Sequence, residues 1–224
     1  MAIEQEQLIL DSWHENASPW INAISNNEIP NRVAVTNQAV VEAALNIGAR
    51  DVLDVGCGEG WLARVLAAKG CKVTGVDAVP KLIEHAQSLN NSVHCNFTQL
   101  PFNQITTANI NERFDLAICN FSLFGDESVR NLLISLQPLL TKNSHLLIQT
   151  LHPFNFPELS SGWKQGTWQG FSSGFTNPAP WYFRTSHDWG ALLSELGYSD
   201  IDLQSPTQDG AKKPSSLLIK ATWN

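Results

Sequence analysis

Residues 52–63 read VLDVGCGEGWLA. A short apolar run, three alternate glycines and an apolar helical pattern follow one another without a gap. Strand, tight turn and helix in direct succession describe the first half of a βαβ unit. Gly56, Gly58 and Gly60 let the backbone turn sharply and lie close to a ligand, since no Cβ stands in the way. The helix that follows offers free N–H groups at its start. Such a turn sits at the carboxyl end of a strand, where open α/β sheets bind their ligands.

The rest of the chain repeats the rhythm. KVTGVD is a second buried run, PKLIEHAQSLN a helix with Pro80 in its first turn, and SVHCNF a third strand. FDLAICNFS, the helical ESVRNLLISLQPLL and the strand HLLIQTLH follow. Runs this apolar suit strands covered on both faces, and their alternation with helices predicts a doubly wound α/β fold. SHDWGALLSELGY reads as a helix N-capped by Ser186. SDIDLQSP and SSLLIKATW have no helix between them and predict a C-terminal antiparallel hairpin. Residues 5–45 read as helical, broken near NNEIPNR. One domain is expected, with a helical cap over 1–44, a core over 45–151, an insert over 152–184, and a helix and hairpin over 185–224.

Composition narrows the partners. The chain has 224 residues, 43% of them apolar and 16% charged, enough for a core without staples. The net charge of −7 and the lack of a Lys/Arg run argue against nucleic acid as partner. MAIEQEQLILDSWHEN lacks the basic start and apolar run of a signal peptide, and no apolar run reaches membrane-spanning length. Cys57, Cys71, Cys95 and Cys119 show no metal-ligand spacing and read as reduced, buried thiols of a cytoplasmic protein. No metal is expected.

Two cofactor classes compete for the glycine turn. A dinucleotide fingerprint places its third glycine five residues after the first, where this chain has Trp61. A pyrophosphate would also meet Asp54 and Glu59, an unfavourable pairing for an anion. S-adenosylmethionine brings an ammonium and no phosphate, and Asp54 suits it. Asp77, at the end of the second strand, reads either as an acceptor for two ribose hydroxyls or as a helix N-cap. Asp54 reads either as a ligand group or as a turn former.

VLDVGCGEGWLA, KVTGVDAVPKLIEHA and FDLAICNFSLF together resemble the class I S-adenosylmethionine-dependent methyltransferases, closely over residues 45–152. The resemblance is nearest to small-molecule enzymes, including those of quinone biosynthesis. It implies a mostly parallel seven-stranded sheet closed by the antiparallel hairpin, with S-adenosylhomocysteine as product. It implies that Asp54, Gly56, Cys57 and Gly58 hold the methionine part and Asp77 the ribose, with Ala78 and Val79 beside the adenine. Asn96 stands where the family usually has an aspartate, and Phe97 would line the adenine ring. Asn120 and Phe121 would flank the methyl-bearing sulfur. Arg32 reads either as a partner of the methionine carboxylate or as a solvated or ion-paired arginine.

His152, directly after the fifth strand, is the candidate general base, with His187 and Asp188 as further candidates; each also has a structural reading. The fourth strand ends NFSL, without the Asn-Pro-Pro-aromatic motif of amino-group methylation, and no Pro-Cys nucleophile is present. The insert, HPFNFPELSSGWKQGTWQGFSSGFTNPAPWYF, holds nine aromatic residues. Trp163, Trp168, Phe171, Phe175, Trp181 and Tyr182 are expected to cover an apolar acceptor pocket, with Trp13, His14 and Trp20 as its other wall. Packing of the loop and an oligomer contact are the competing roles, and the chain is expected as a monomer or homodimer. The function expected is methyl transfer to a small planar or apolar acceptor. A non-catalytic S-adenosylmethionine binder and a nicotinamide-dependent oxidoreductase are the alternatives.

Overall fold

A computed structural model describes residues 2–172 and 174–224. Two helices open the chain, α1 (Ala2–Glu15) and α2 (Ala17–Ser25). Asn27 takes a positive φ in the break that follows, and a π-helical turn (Arg32–Thr36) leads into α3 (Asn37–Ile47). The core then runs β1 (Asp51–Val55), α4 (Trp61–Ala68), β2 (Lys72–Asp77), α5 (Pro80–Ser88), β3 (Cys95–Gln99), β4 (Phe114–Asn120), α6 (Glu127–Leu136) and β5 (Leu140–Thr150). A ribbon of β6 (Gly162–Lys164) and β7 (Trp181–Phe183) lies in the insert. It is followed by α7 (Ser186–Glu195), β8 (Ser199–Gln204) and β9 (Leu217–Trp223).

The seven long strands form one sheet in the order β3-β2-β1-β4-β5-β9-β8. β3, β2, β1, β4 and β5 are parallel, β9 runs antiparallel to β5, and β8, antiparallel to β9, runs with the other five. Residues alternate between the two faces of a strand. Leu53, Val55, Ala117, Cys119, Leu146 and Ile148 face the layer of α6 and α7. Val52, Leu116, Ile118 and Leu147 face the layer of α3, α4 and α5. The chain leaves β1 toward β2 on one side and returns as β4 on the other. The crevice between the carboxyl ends of β1 and β4 is therefore the topological switch point.

The structure departs from the sequence reading in several places. β3 starts at Cys95 rather than Ser92, because Asn90 Oδ1 accepts from Ser92 N–H and Ser92 Oγ from His94 N–H, which makes the segment a turn. The α7 cap is Thr185, not Ser186: Thr185 Oγ1 accepts from Asp188 N–H, and Asp188 answers by accepting from the Thr185 hydroxyl. The β6–β7 ribbon gives the insert regular structure that its broken pattern does not announce. Among the described residues no helix is long and apolar enough to cross a membrane.

One carboxylate of the helical cap reaches the start of α6. Glu6 Oε1 accepts from the Asp126 and Ser128 N–H groups at the start of α6, and Oε2 accepts from the Ser128 hydroxyl. A side chain from α1 thus caps a helix 120 residues away. Gly125 is needed for this approach, since a Cβ there would overlap Glu6 and Ser128. Glu6→Ala should cost about 1 kcal/mol, the usual worth of a helix cap. Denaturant unfolding with an unchanged m-value would show it.

Candidate active site

The glycine turn closes the carboxyl end of β1. Its backbone is largely self-satisfied: Gly56 and Cys57 N–H both donate to Val76 O, at 2.8 and 3.0 Å. Gly56 has φ +70°, and a Cβ on it would overlap Ser122 of the β4–α6 loop. Ser122 Oγ in turn donates to Val55 O at 2.7 Å. Gly60, at φ +83°, would place a Cβ 2.6 Å from the Phe97 ring. These two positions press the turn against its neighbours on both sides and leave its inner rim to the ends of β1, β2 and β4.

Three carboxyls converge there. Asp54 is 1% exposed, and its Oδ2 has no partner among the described residues. Burial, then the nearby Glu59 and Asp77, push its pKa up to about 8. Asp77 accepts from Val79 N–H through Oδ1 and from Gly58 N–H through Oδ2, each at 2.9 Å. Burial still raises its pKa. Glu59, also raised by burial, is partly offset by Arg32 and Arg64. Asn120, at the end of β4, presents a buried Oδ1 that is likewise unpartnered. The crevice thus offers oxygens with nothing to accept from. That chemistry suits a guest with positive charge and N–H or O–H donors and repels a pyrophosphate.

The structure gathers part of the expected site and disperses the rest. Asp54, Gly56, Cys57, Gly58, Asp77, Asn120 and Phe121 surround the crevice. Ala78 and Val79 follow directly from β2, with Val79 buried against Ala17 and Leu82. Asn96 does not join them: it is the second residue of β3, level with Thr74, and is exposed. Gln99 is the β3 residue level with Asp77, and its amide donates to Ala78 O at 3.3 Å. Phe97 lies in the core against Gly60 and Gly75, not open to a ring. Arg32 lies on the outer side of the turn, 4.8 Å from the Trp61 ring centre and 5.8 Å from that of Trp20. It lines a cavity of about 320 Å³ with Glu59, Trp61, Arg64 and His85; Asp54, Asp77 and Asn120 do not line that cavity.

His152 is occupied elsewhere. Its Nδ1 accepts from Phe154 N–H at 3.1 Å, so Nε2 carries the proton and donates to Ser205 Oγ at 2.9 Å. It caps a short 3₁₀ turn and has no free nitrogen for base catalysis. Asp188 is engaged in the α7 cap and by the Ser161 hydroxyl, which together lower its pKa. His187 is exposed beside it.

The aromatic residues divide into two groups. Trp168 packs on Phe171 and Phe175, with ring centres 5.4 and 4.7 Å apart, and meets Trp13 at 5.8 Å. Trp13 touches Trp20 and Phe124, and Trp20 reaches Phe171. The Trp20 indole nitrogen lies 3.6 Å from where a Cβ on Gly58 would stand, so this group roofs the glycine turn. Asn16 binds it down: its side-chain amide donates to Thr176 O at 2.8 Å and accepts from Thr176 N–H at 2.9 Å. His14, at the end of α1, is exposed and near enough to Asp77 to favour its charged form. Trp163, Trp181 and Tyr182 belong to a second group on the β6–β7 ribbon, with Phe156 and Phe183. Tyr182 also stacks under the Arg184 guanidinium at 4.5 Å. These three do not join the roof.

Sequence reasoning missed Gln99 and Asn16.

A family model described as a methyltransferase domain matches residues 19–203. A ubiquinone biosynthesis O-methyltransferase of Rickettsia canadensis is 31% identical over 109 residues, 48% of this chain and 45% of that protein. An uncharacterized methyltransferase of Mycobacterium bovis is 33% identical over 136 residues, 58% of this chain and 64% of the relative. The matches thus span about half the length of these curated relatives. Among solved structures, a Burkholderia thailandensis 1,6-didemethyltoxoflavin-N1-methyltransferase with bound S-adenosylhomocysteine shares the fold. It has a TM-score of 0.66 at 18% identity and covers 100% of this chain and 91% of its own. Magnesium protoporphyrin IX methyltransferase of Synechocystis PCC 6803 does so equally, at 17% identity, covering 98% and 100%.

The raised Asp54 pKa has a stability consequence. The folded protein holds a proton up to about pH 8, whereas the unfolded chain releases it near 3.8. This group's contribution to stability therefore falls as pH rises between those values. Asp54→Asn removes it, so the ligand-free variant should lose less melting temperature than wild type between pH 5 and pH 8. Equal slopes in a thermal melt series would contradict the assignment.

Proposed function

This chain belongs to the methyltransferase-domain family, and we propose that it transfers a methyl group from S-adenosylmethionine to a small acceptor with a planar or apolar body. The observation that carries the proposal is the donor-poor crevice at the switch point, where Asp54 Oδ2 and Asn120 Oδ1 are buried without partners. S-adenosylmethionine, when bound, supplies an electrophilic methyl carbon on a sulfonium. Asp54 suits the ammonium of its methionine part. Asp77 suits the ribose hydroxyls: two backbone amides fix its carboxyl, and each oxygen keeps a lone pair free to accept. Gln99, level with Asp77, takes the place at the β3 end that Asn96 was expected to fill.

The roof of Trp13, Trp20, Trp168, Phe171 and Phe175 supplies the apolar body of the acceptor site. It excludes water from the reacting centre, which strengthens every charge interaction beneath it. Trp13 and Phe124 carry that surface toward the end of β4. With the His152 nitrogens engaged, the proposal assigns catalysis to positioning, which can supply several kcal/mol of a barrier. It fits an acceptor whose attacking atom arrives deprotonated or needs no base.

Asp77→Ala should weaken S-adenosylhomocysteine binding about tenfold or more, the loss of roughly 1.4 kcal/mol or greater expected when charge-assisted hydrogen bonds go. Calorimetry showing unchanged affinity would remove Asp77 from the site. Trp168→Ala should lower turnover of planar aromatic acceptors, assayed with labelled S-adenosylmethionine, more than it lowers cofactor affinity. Equal losses would make Trp168 a packing residue. Tight cofactor binding with no transfer to any acceptor of such a panel would favour a non-catalytic binder.

A further inference from the structure

Asn16 stands between α1 and α2, where an asparagine ordinarily caps the helix that follows. Its side chain makes no capping bond. It is fully buried and reaches across to the insert instead. Nδ2 donates to Thr176 O at 2.8 Å, and Oδ1 accepts from Thr176 N–H at 2.9 Å. A backbone amide and a backbone carbonyl leave the orientation of the Asn16 amide no choice. Around this pair, Ser12 Oγ donates to Asn177 O, and Glu15 accepts from the Thr176 hydroxyl and the Asn177 amide. Trp168 uses the same anchor, since its indole N–H also donates to Thr176 O, at 2.8 Å.

The two segments joined here cover different parts of the site. On the cap side, Ala17 is buried against Val79, and the Trp20 indole stands over Gly58. Gly58 and Val79 are the residues whose amides hold Asp77, so α2 lies on the cofactor's side. On the insert side, Trp168, Phe171 and Phe175 form the aromatic cover given above to the acceptor. Resting on the methyltransferase reading, we propose that Asn16 is a positioning residue that makes α2 and the insert one lid, so that cofactor and acceptor are admitted and released by a single opening. Lifting α2 alone would strip the Asn16 amide and the Thr176 N–H of their partners, which is costly for buried groups. Lifting both segments together keeps those bonds. Two independent flaps would let S-adenosylhomocysteine exchange while the acceptor stayed under its aromatics. With the clasp, every cofactor exchange uncovers the acceptor side as well.

Hydrogen exchange followed by mass spectrometry reads the two halves separately, with S-adenosylhomocysteine as the only added ligand. At about ten times its dissociation constant, a bound ligand slows any opening that expels it roughly tenfold. In the wild type that slowing should appear over α2 and equally over the insert around Thr176. Asn16→Ala should keep the protection over α2 and lose it, to within about twofold of the ligand-free rate, over the insert. Glu15→Ala removes only the exposed part of the clasp. It should give a smaller loss in the same place, and it provides the measurement if Asn16→Ala does not fold. A merely structural Asn16 would give faster exchange in both segments alike and leave their shared response to the ligand intact. Insert protection that persists in both variants, or equal loss over α2 and the insert, overturns the proposal, as does a wild type whose α2 is protected without its insert. Failure of the wild type to bind S-adenosylhomocysteine at all overturns the methyltransferase reading, and the proposal with it.

Discussion

The contact between Gly56 and Ser122 sets the geometry on which the site depends. No side chain fits on Gly56 because the β4–α6 loop stands directly against it, and Ser122 fastens that loop to the last carbonyl of β1. The ends of β1 and β4 are thereby held together while the chain departs from them in opposite directions. Asp54 is sealed beneath this junction, and its burial is what raises its pKa. A looser junction would admit water and return Asp54 to an ordinary carboxylate. The unusual chemistry of the crevice is thus a product of packing around a glycine.

Much of this was legible in the sequence. Strands covered on both faces are written as continuous apolar runs, and their alternation with helices fixes a doubly wound sheet. The glycine turn and the carboxylates at the ends of β1 and β2 could be placed because strand ends are local events. What failed was whatever depended on a few residues of register. Asn96 was placed by resemblance, but β3 runs from Cys95 to Gln99 and Asn96 is its second residue, far from the carboxyl end. Gln99 takes the end position instead. Phe97 was assigned to the adenine by the same resemblance, yet strand alternation turns it into the core.

His152 and Ser186 illustrate a second limit. Both lie where a helical turn begins, and capping depends on which neighbouring side chain reaches a backbone amide. Thr185 reached first at α7, and His152 spent its ring on Phe154 and Ser205. The nine aromatic residues of the insert look alike in sequence. A short ribbon separates Trp163, Trp181 and Tyr182 from Trp168, Phe171 and Phe175, and only tertiary pairing decides on which side of it each one stands.

The paired hydrogen bonds between Asn16 and Thr176 bear on how such a protein can diversify. They imitate a backbone bridge across 160 residues of sequence and bind the helical cap and the insert into one covering body. The two segments are then a single heritable unit. An insert of another shape would keep these bonds only if it brought a backbone amide and carbonyl within reach of Asn16. A change of shape in either segment is therefore passed to the other before it reaches the sheet beneath.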